Sequence, residues 1–249
     1  MSQTSVDPWS RLLGTIVLGT SPPQHGRIAT PPVAGLASAS DSDLHPAQQC
    51  AAEQYRLART RILHHPARPS FLLLSSPNPE DGKTFTAVQL ALLFARRGED
   101  RVVLLDADLR RPDVHQWLDV SPGPGLADIL EQRCSLDDAL CPVKEHPALS
   151  VITAGTPSRN PAELLNSTAW SELLAVLRSR FRFQIADSPP LGAVADTDLL
   201  AASCDGIVLV VRPNHTPRDL LARSLGVSHN KLLGVILNGV EDWLLWKPY

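Results

Sequence analysis

Several residue classes that mark common protein types are scarce in this sequence. Four cysteines occur in 249 residues (Cys50, Cys134, Cys141 and Cys204), with no Cys-x-x-Cys pair and no histidine at metal-ligand spacing. That excludes a disulfide framework and a zinc motif, and it reads as structural thiols in a reducing compartment. A basic surplus is also missing: 23 Lys and Arg stand against 26 Asp and Glu, a formal charge of -3. No nucleic-acid partner is therefore expected, since that needs a basic face. The apolar run at residues 12–18 (LLGTIVL) has only Arg11 as a basic flank. It is far too short to span a bilayer and does not read as a secretory signal, so a cytoplasmic location is expected.

A chain of 249 residues allows one large domain, or one domain with a tail. Residues 1–46 read as the tail. Pro8, Pro22, Pro23, Pro31, Pro32 and Pro46 sit among Ser, Thr, Gly and Ala without helical or strand period. Such a segment buries too little apolar surface to offset its ordering entropy. It is expected to be disordered, with room for one short docking element in residues 12–18. The domain is expected over residues 47–240, followed by a C-terminal tail at 241–249.

The strongest single signal is the stretch SSPNPEDGKT at residues 75–84. It follows the apolar run FLLL (71–74) and leads into the apolar-faced segment TAVQLALLFA (86–95). A buried strand, a turn-rich loop and a helix in that order, closing on Gly82-Lys83-Thr84, is the pattern of a phosphate-binding loop. Amides and dipole at the helix N-terminus attract phosphate, lysine neutralises the outer phosphates, and the threonine hydroxyl ligates Mg²⁺. The loop is not standard. Pro77 stands where the first glycine of the pattern belongs, and Glu80 and Asp81 place acidic side chains near the expected phosphates. Affinity is expected to suffer from them.

Further strands are expected at residues 102–105, 149–155, 183–186, 206–212 and 232–238, separated by helical stretches. That alternation predicts an α/β fold, a mainly parallel sheet with helices on both faces. Two of these strands end in acid: Asp106-Ala107-Asp108 after the first, and Asp187 before Ser188-Pro189-Pro190. Ligands bind at the carboxyl ends of such strands. A strand-end turn accounts for each aspartate taken singly; a Mg²⁺-nucleotide site accounts for both together. Ahead of the loop, Ala47, Ala51, Tyr55, Ala58 and Ile62 recur at helical spacing and carry Glu53-x-x-Arg56-x-x-Arg59 as a charged band. By itself that band is a solvated face with one Glu–Arg pair.

The strings VVLLDADLRRPDVHQWLDV, GLADIL, ITAGTPSRNPAELLNS, ADSPP, VVRP and LLGVILNGVEDW occur in order between Ala47 and Trp243. Together they resemble the bacterial tyrosine autokinases of capsule and exopolysaccharide synthesis, with their P-loop NTPase-like fold. The resemblance implies ATP and Mg²⁺ as cofactors, with Lys83, Asp106, Asp108 and Asp187 as the catalytic set. It implies Thr84, Asp108 and Asp187 around the metal, and Asp106 as the base for the phenol. Pro79, Glu80, Asp81, Gly82, Lys83, Thr84, Phe85 and Arg212 fall in its nucleotide-binding set, with Asn238 near the adenine. It further implies a ring assembled through Glu53, Arg56 and Arg59, and an activating membrane polysaccharide chain-length regulator that brings the protein to the membrane.

Two departures stand out. Glu80 replaces a glycine whose amide approaches phosphate closely, and the C-terminal tyrosine cluster of the family is absent. Tyr249 is the one tyrosine after Asn238 and the expected phosphoacceptor; Tyr55 is the only other in the chain. Two alternative readings are a non-catalytic ATP-binding assembly subunit and a ParA/MinD-type ATPase. The second requires a lysine early in the loop, where Asn78 stands.

Overall fold

A computed structural model describes residues 16–17, 46–96, 98, 100–228 and 230–239. Its centre is made by four strands buried along their whole length: β2 (Phe71–Ser75), β3 (Val102–Asp106), β6 (Phe183–Asp187) and β7 (Gly206–Val211). Continuous apolar runs of this kind suit a parallel sheet covered on both faces. Among the described residues the sheet has eight strands. The others are β1 (Ile16–Val17), β4 (Cys141–Val143), β5 (His146–Ile152) and β8 (Leu232–Leu237), in the order β1-β8-β7-β2-β6-β3-β5-β4. Every pairing is parallel except the β4–β5 hairpin.

All six strands expected from sequence are present, so the α/β class holds. Two strands were missed. β4 is three residues long and contains Pro142, which only an edge position tolerates. β1 lies inside the run 12–18 and pairs Ile16 with Ile236 and Val17 with Leu237. The rest of the expected N-terminal tail, residues 1–15 and 18–45, lies outside the described residues, as do residues 240–249.

Strand alternation sends neighbouring side chains into two cores. Leu72, Leu74, Leu104 and Ile185 face one side with α1 (Pro46–Leu63) and α2 (Lys83–Ala95). Phe71, Leu73, Leu105 and Leu209 face the other, against Trp170 and Leu177 of α4 (Thr168–Arg180) and Leu200 of α5 (Ala195–Ser203). Thr86 to Ala95 of α2 are all buried, because the sheet covers one side and α1 another. The small Ala51 and Ala58 let α1 approach closely, and Tyr55 is buried between the helices.

The edge of the sheet opposite the strand C-termini is held by Asp205. Its carboxylate accepts from the N–H groups of Ser70 (3.0 Å) and Phe71 (2.8 Å), the Ser70 hydroxyl (2.9 Å), and two Arg178 nitrogens (2.8 and 3.0 Å). Burial works to raise its pKa, but Arg178 and the backbone donors outweigh that and hold the carboxyl well below its usual range. A lowered folded-state pKa contributes stability that is complete above the unfolded value and is lost as pH falls through it toward the folded value. Asp205→Asn is expected to cost about 1–2 kcal/mol at pH 7, kept modest because the group is part-exposed. The loss should shrink on acidification, and urea titrations from pH 7 to pH 3 measure both effects. Equal loss at both ends would remove the charge from the explanation.

Candidate active site

β3 and β6 pair in register, with Asp106 opposite Asp187, so both strand-end carboxylates emerge beside the N-terminus of α2. There Lys83 Nζ lies 3.2 Å from Asp108 Oδ2 and 3.9 Å from Asp187 Oδ1. The Thr84 hydroxyl donates to Asp187 Oδ2 at 2.7 Å. Asp106 Oδ2 accepts from the backbone N–H groups of Asp113 and Val114, each at 3.1 Å, at the start of α3 (Val114–Leu118). Four segments separated by up to a hundred residues thus meet at one point: the phosphate loop, its helix, and the ends of β3 and β6.

The electrostatics of this point are unbalanced. Asp106, Asp108 and Asp187 are all buried and, among the described residues, face the one ammonium group of Lys83. Burial drives the Asp106 carboxyl well above its usual value, and the neighbouring Asp187 adds to that. Burial also raises Asp187, against the opposing pull of Lys83 and the Thr84 hydroxyl. For Lys83 burial acts downward, but Asp187 and Asp108 outweigh it and hold the ammonium above the ordinary lysine value. Buried carboxylates in excess over cations are costly unless a further cation or protons meet them. Asp106 Oδ1 and Asp187 Oδ1 are buried with no hydrogen-bond partner, which suits that need. Among the described residues no three acidic, His or Cys side chains gather into a closed metal cage. Mg²⁺ does not need one, since it is normally held by one or two carboxylates together with water and phosphate oxygens. Thr84, Asp108 and Asp187 form a donor set of that kind.

The loop itself departs from expectation in one respect. Glu80 is exposed and Asp81 is fully buried. The Asp81 carboxylate is turned to protein donors. It accepts from Asn78 N–H (3.1 Å) and the Thr216 hydroxyl (2.8 Å), and lies 3.0 Å from His215 Nδ1. The Asn238 side-chain amide donates to the Asp81 carbonyl at 2.9 Å and packs against Gly82. It supports the loop from beneath. Glu80 and Gly82 both have left-handed backbones, φ 65° and 93°. For Glu80 that conformation costs about 1–2 kcal/mol, which glycine would not incur.

Glu80→Gly is accordingly expected to leave stability within about 1 kcal/mol, as relief of strain offsets the added freedom of the unfolded chain. It should tighten Mg-ATP binding several-fold by removing a like charge near the phosphates. Calorimetric titration of the variant measures this. Unchanged affinity would place the Glu80 carboxylate out in solvent, beyond reach of the phosphates.

Comparison with known proteins bears on what this arrangement is. No protein-family model matches the sequence. The tyrosine-protein kinase YwqD of Bacillus subtilis is 37% identical over 192 residues, covering 75% of this chain and 80% of YwqD. The tyrosine-protein kinase CpsD of Streptococcus agalactiae is 30% identical over 206 residues, covering 81% and 89%. The chain belongs to the bacterial tyrosine-protein kinases of the capsule family. The kinase domain of Escherichia coli tyrosine kinase ETK superposes with a TM-score of 0.76 at 25% identity, over 94% of this chain and 92% of that domain. Among the described residues no helix of the kinase is long and apolar enough to cross a membrane.

Other residues singled out in the kinase sequence fall in varied places. Pro79 is exposed on the loop, and Arg212 lies at the end of β7, its N–H donating to the Thr216 hydroxyl. The Phe85 ring packs on Trp117 (5.3 Å between centroids) and Tyr55 (6.4 Å). Its partly buried side chain packs against the apolar core, and its backbone lies in the first turn of α2. Glu53 and Arg56 pair with each other at 2.8 Å on α1. The Arg59 guanidinium lies 5.6 Å from the Phe94 ring centre, and Arg56 and Arg59 are both half-buried. Tyr249 lies outside the described residues. Sequence reasoning missed His215 and Thr216, and also Arg110, which makes bonds of 2.7 and 3.0 Å to the buried Asp196 across the Asp108 loop. Thr216-Pro217 reads locally as a helix start; nothing nearby in sequence announces the contact with Asp81.

Proposed function

We propose that this kinase binds Mg-ATP at the N-terminus of α2 and transfers the γ-phosphoryl group to Tyr249 of a neighbouring copy. The observation that supports this best is the convergence of Lys83, Thr84, Asp108 and Asp187. Phosphoryl transfer is largely positioning and neutralisation of charge. Lys83 would swing from the carboxylates to the outer phosphates. Thr84, Asp108 and Asp187 would hold Mg²⁺, which supplies charge neutralisation at the phosphates when bound. Asp106, with Oδ2 fixed by two backbone donors, would present Oδ1 as the base for the phenol. The intact mass of the chain before and after incubation with Mg-ATP tests the reading: a phosphate adduct is expected. ATP binding without any adduct, with an activating partner present, would favour a non-catalytic assembly subunit.

Self-association into a ring, and activation by a membrane polysaccharide chain-length regulator, complete the proposal. The exposed Glu53 and the half-buried Arg56 and Arg59 would carry the contact. Arginine suits it because its planar fork pairs with carboxylates in a way lysine does not reproduce. Because Arg59 stacks on Phe94, replacing it would also cost about 0.5–1 kcal/mol of internal packing; Arg56→Glu separates the two effects. That variant should sediment as smaller species than the wild type at matched concentration, with an unchanged melting temperature. Wild type and variant that sediment alike as oligomers would remove Arg56 from the interface.

A further inference from the structure

The buried carboxylate of Asp81 joins two loops that are more than 130 residues apart in sequence. On one side is the phosphate loop, through Asn78 N–H; on the other is the segment after β7, through Thr216 Oγ1 and His215 Nδ1. The Thr216 hydroxyl is used twice. It donates to Asp81 and accepts from the N–H of Arg212 at 3.0 Å. Asn238 closes the unit: its side chain donates to the Asp81 carbonyl, while its own N–H donates to the Val211 carbonyl at 2.8 Å. The fit beneath the loop is tight, since a Cβ on Gly82 would stand 1.9 Å from Asn238 Nδ2.

We propose that Thr216, assisted by His215, is a positioning residue for the nucleotide: it fixes Asp81, and through Asp81 the shape of the phosphate loop, to the strand end carrying Arg212. Three observations support this. Glu80 holds a left-handed backbone that its side chain disfavours, so the turn needs an external hold, and Asp81 is the next residue. Asp81 is fully buried and negatively charged when ionised, a placement that serves packing only if donors surround it. Two of those donors, Thr216 and His215, come from the segment after β7, so the segment 212–216 and the phosphate loop are expected to shift together. A loop held in advance binds phosphate in ground and transition states alike, which lowers KM and leaves kcat unchanged.

The inference rests on the nucleotide reading above, and its test separates the two. Thr216→Val keeps the side-chain shape and removes the hydroxyl, Thr216→Ser keeps the hydroxyl, and His215→Ala alters a partly exposed side chain. Each is compared with wild type by hydrogen exchange of the loop amides at residues 78 and 80–82 without nucleotide, by the Kd for Mg-ATP, and by kcat and KM. Thr216→Val is expected to speed exchange and to raise Kd and KM about tenfold, the scale of one hydrogen bond to a charged group, with kcat within about twofold. Thr216→Ser should restore both, and His215→Ala should show a smaller change in the same direction. Wild-type exchange and affinity in Thr216→Val would overturn the proposal, as would failure of Thr216→Ser to restore them. Should Thr216→Val not fold, unchanged exchange and Kd in His215→Ala would overturn it, and faster exchange with weaker binding would support it. Faster exchange in Thr216→Val with no Mg-ATP binding by the wild type would sink the nucleotide reading and keep the loop contact. Unchanged exchange with normal wild-type binding would sink only the positioning role.

Discussion

Lys83→Met is expected to abolish the rise in melting temperature that Mg-ATP gives the wild type, and to lower tyrosine phosphorylation by about 100-fold or more. Removing one preorganised charge partner from a developing transition state typically costs that much. Ligand linkage makes the melting shift a direct readout of binding, because a ligand that binds only the folded state stabilises it. The structure adds a second consequence. Among the described residues Lys83 is the cation paired with Asp108 and Asp187, at 3.2 and 3.9 Å, so the variant leaves buried carboxyls that must retain protons. A carboxyl whose folded-state pKa is raised binds protons that the unfolded chain has released. Apo stability therefore falls as pH rises from the unfolded carboxylate value through the folded one. The variant should be folded at pH 6 and lose stability relative to wild type between pH 6 and pH 8. Thermal melts at both pH values, with and without Mg-ATP, measure the two effects together. An undiminished ATP shift in the variant would remove Lys83 from the phosphate site.

The reach of sequence reasoning follows from the range of the interactions concerned. The strand runs at 71–74, 102–105 and 183–186 are legible because each is continuous, apolar and buried on both faces. The strand-end aspartates are legible because parallel strands bring their carboxyl ends to one edge. Lys83 and Thr84 follow from a local motif. The partners of Asp81, Asn238, Phe85 and Arg59 are not legible in the sequence, for a shared reason. Each side chain is turned by a partner distant in sequence: Thr216 for Asp81, the Asp81 carbonyl for Asn238, Trp117 for Phe85 and Phe94 for Arg59. An acidic residue beside a phosphate loop looks like an intruder until the donors that surround it are seen. The short β4 edge strand is hidden by Pro142, whose usual meaning in a strand is a break.

Tyr249→Phe is expected to remove all tyrosine phosphate from the chain while leaving the Mg-ATP melting shift intact. The sequence has two tyrosines, and the fold bears on one of them. Tyr55 is 1% exposed, its hydroxyl 3.5 Å from Thr86 Oγ1 between α1 and α2, and burial pushes its phenol well above the ordinary value. A phenol in that position can neither meet a neighbour's γ-phosphate nor lose its proton readily, so Tyr55→Phe should leave phosphorylation unchanged. Tyr249 stands eleven residues beyond Asn238, a distance of at most roughly 35–40 Å when extended. Transfer between copies also predicts a mixing result: Lys83→Met protein, unable to use ATP, should acquire phosphate on Tyr249 when mixed with active Tyr249→Phe protein. Phosphopeptide mapping of that mixture reads out the acceptor and the direction of transfer at once. Phosphate on Tyr55, or none on the Lys83→Met chain in the mixture while the wild type modifies itself, would exclude Tyr249 as an acceptor in trans.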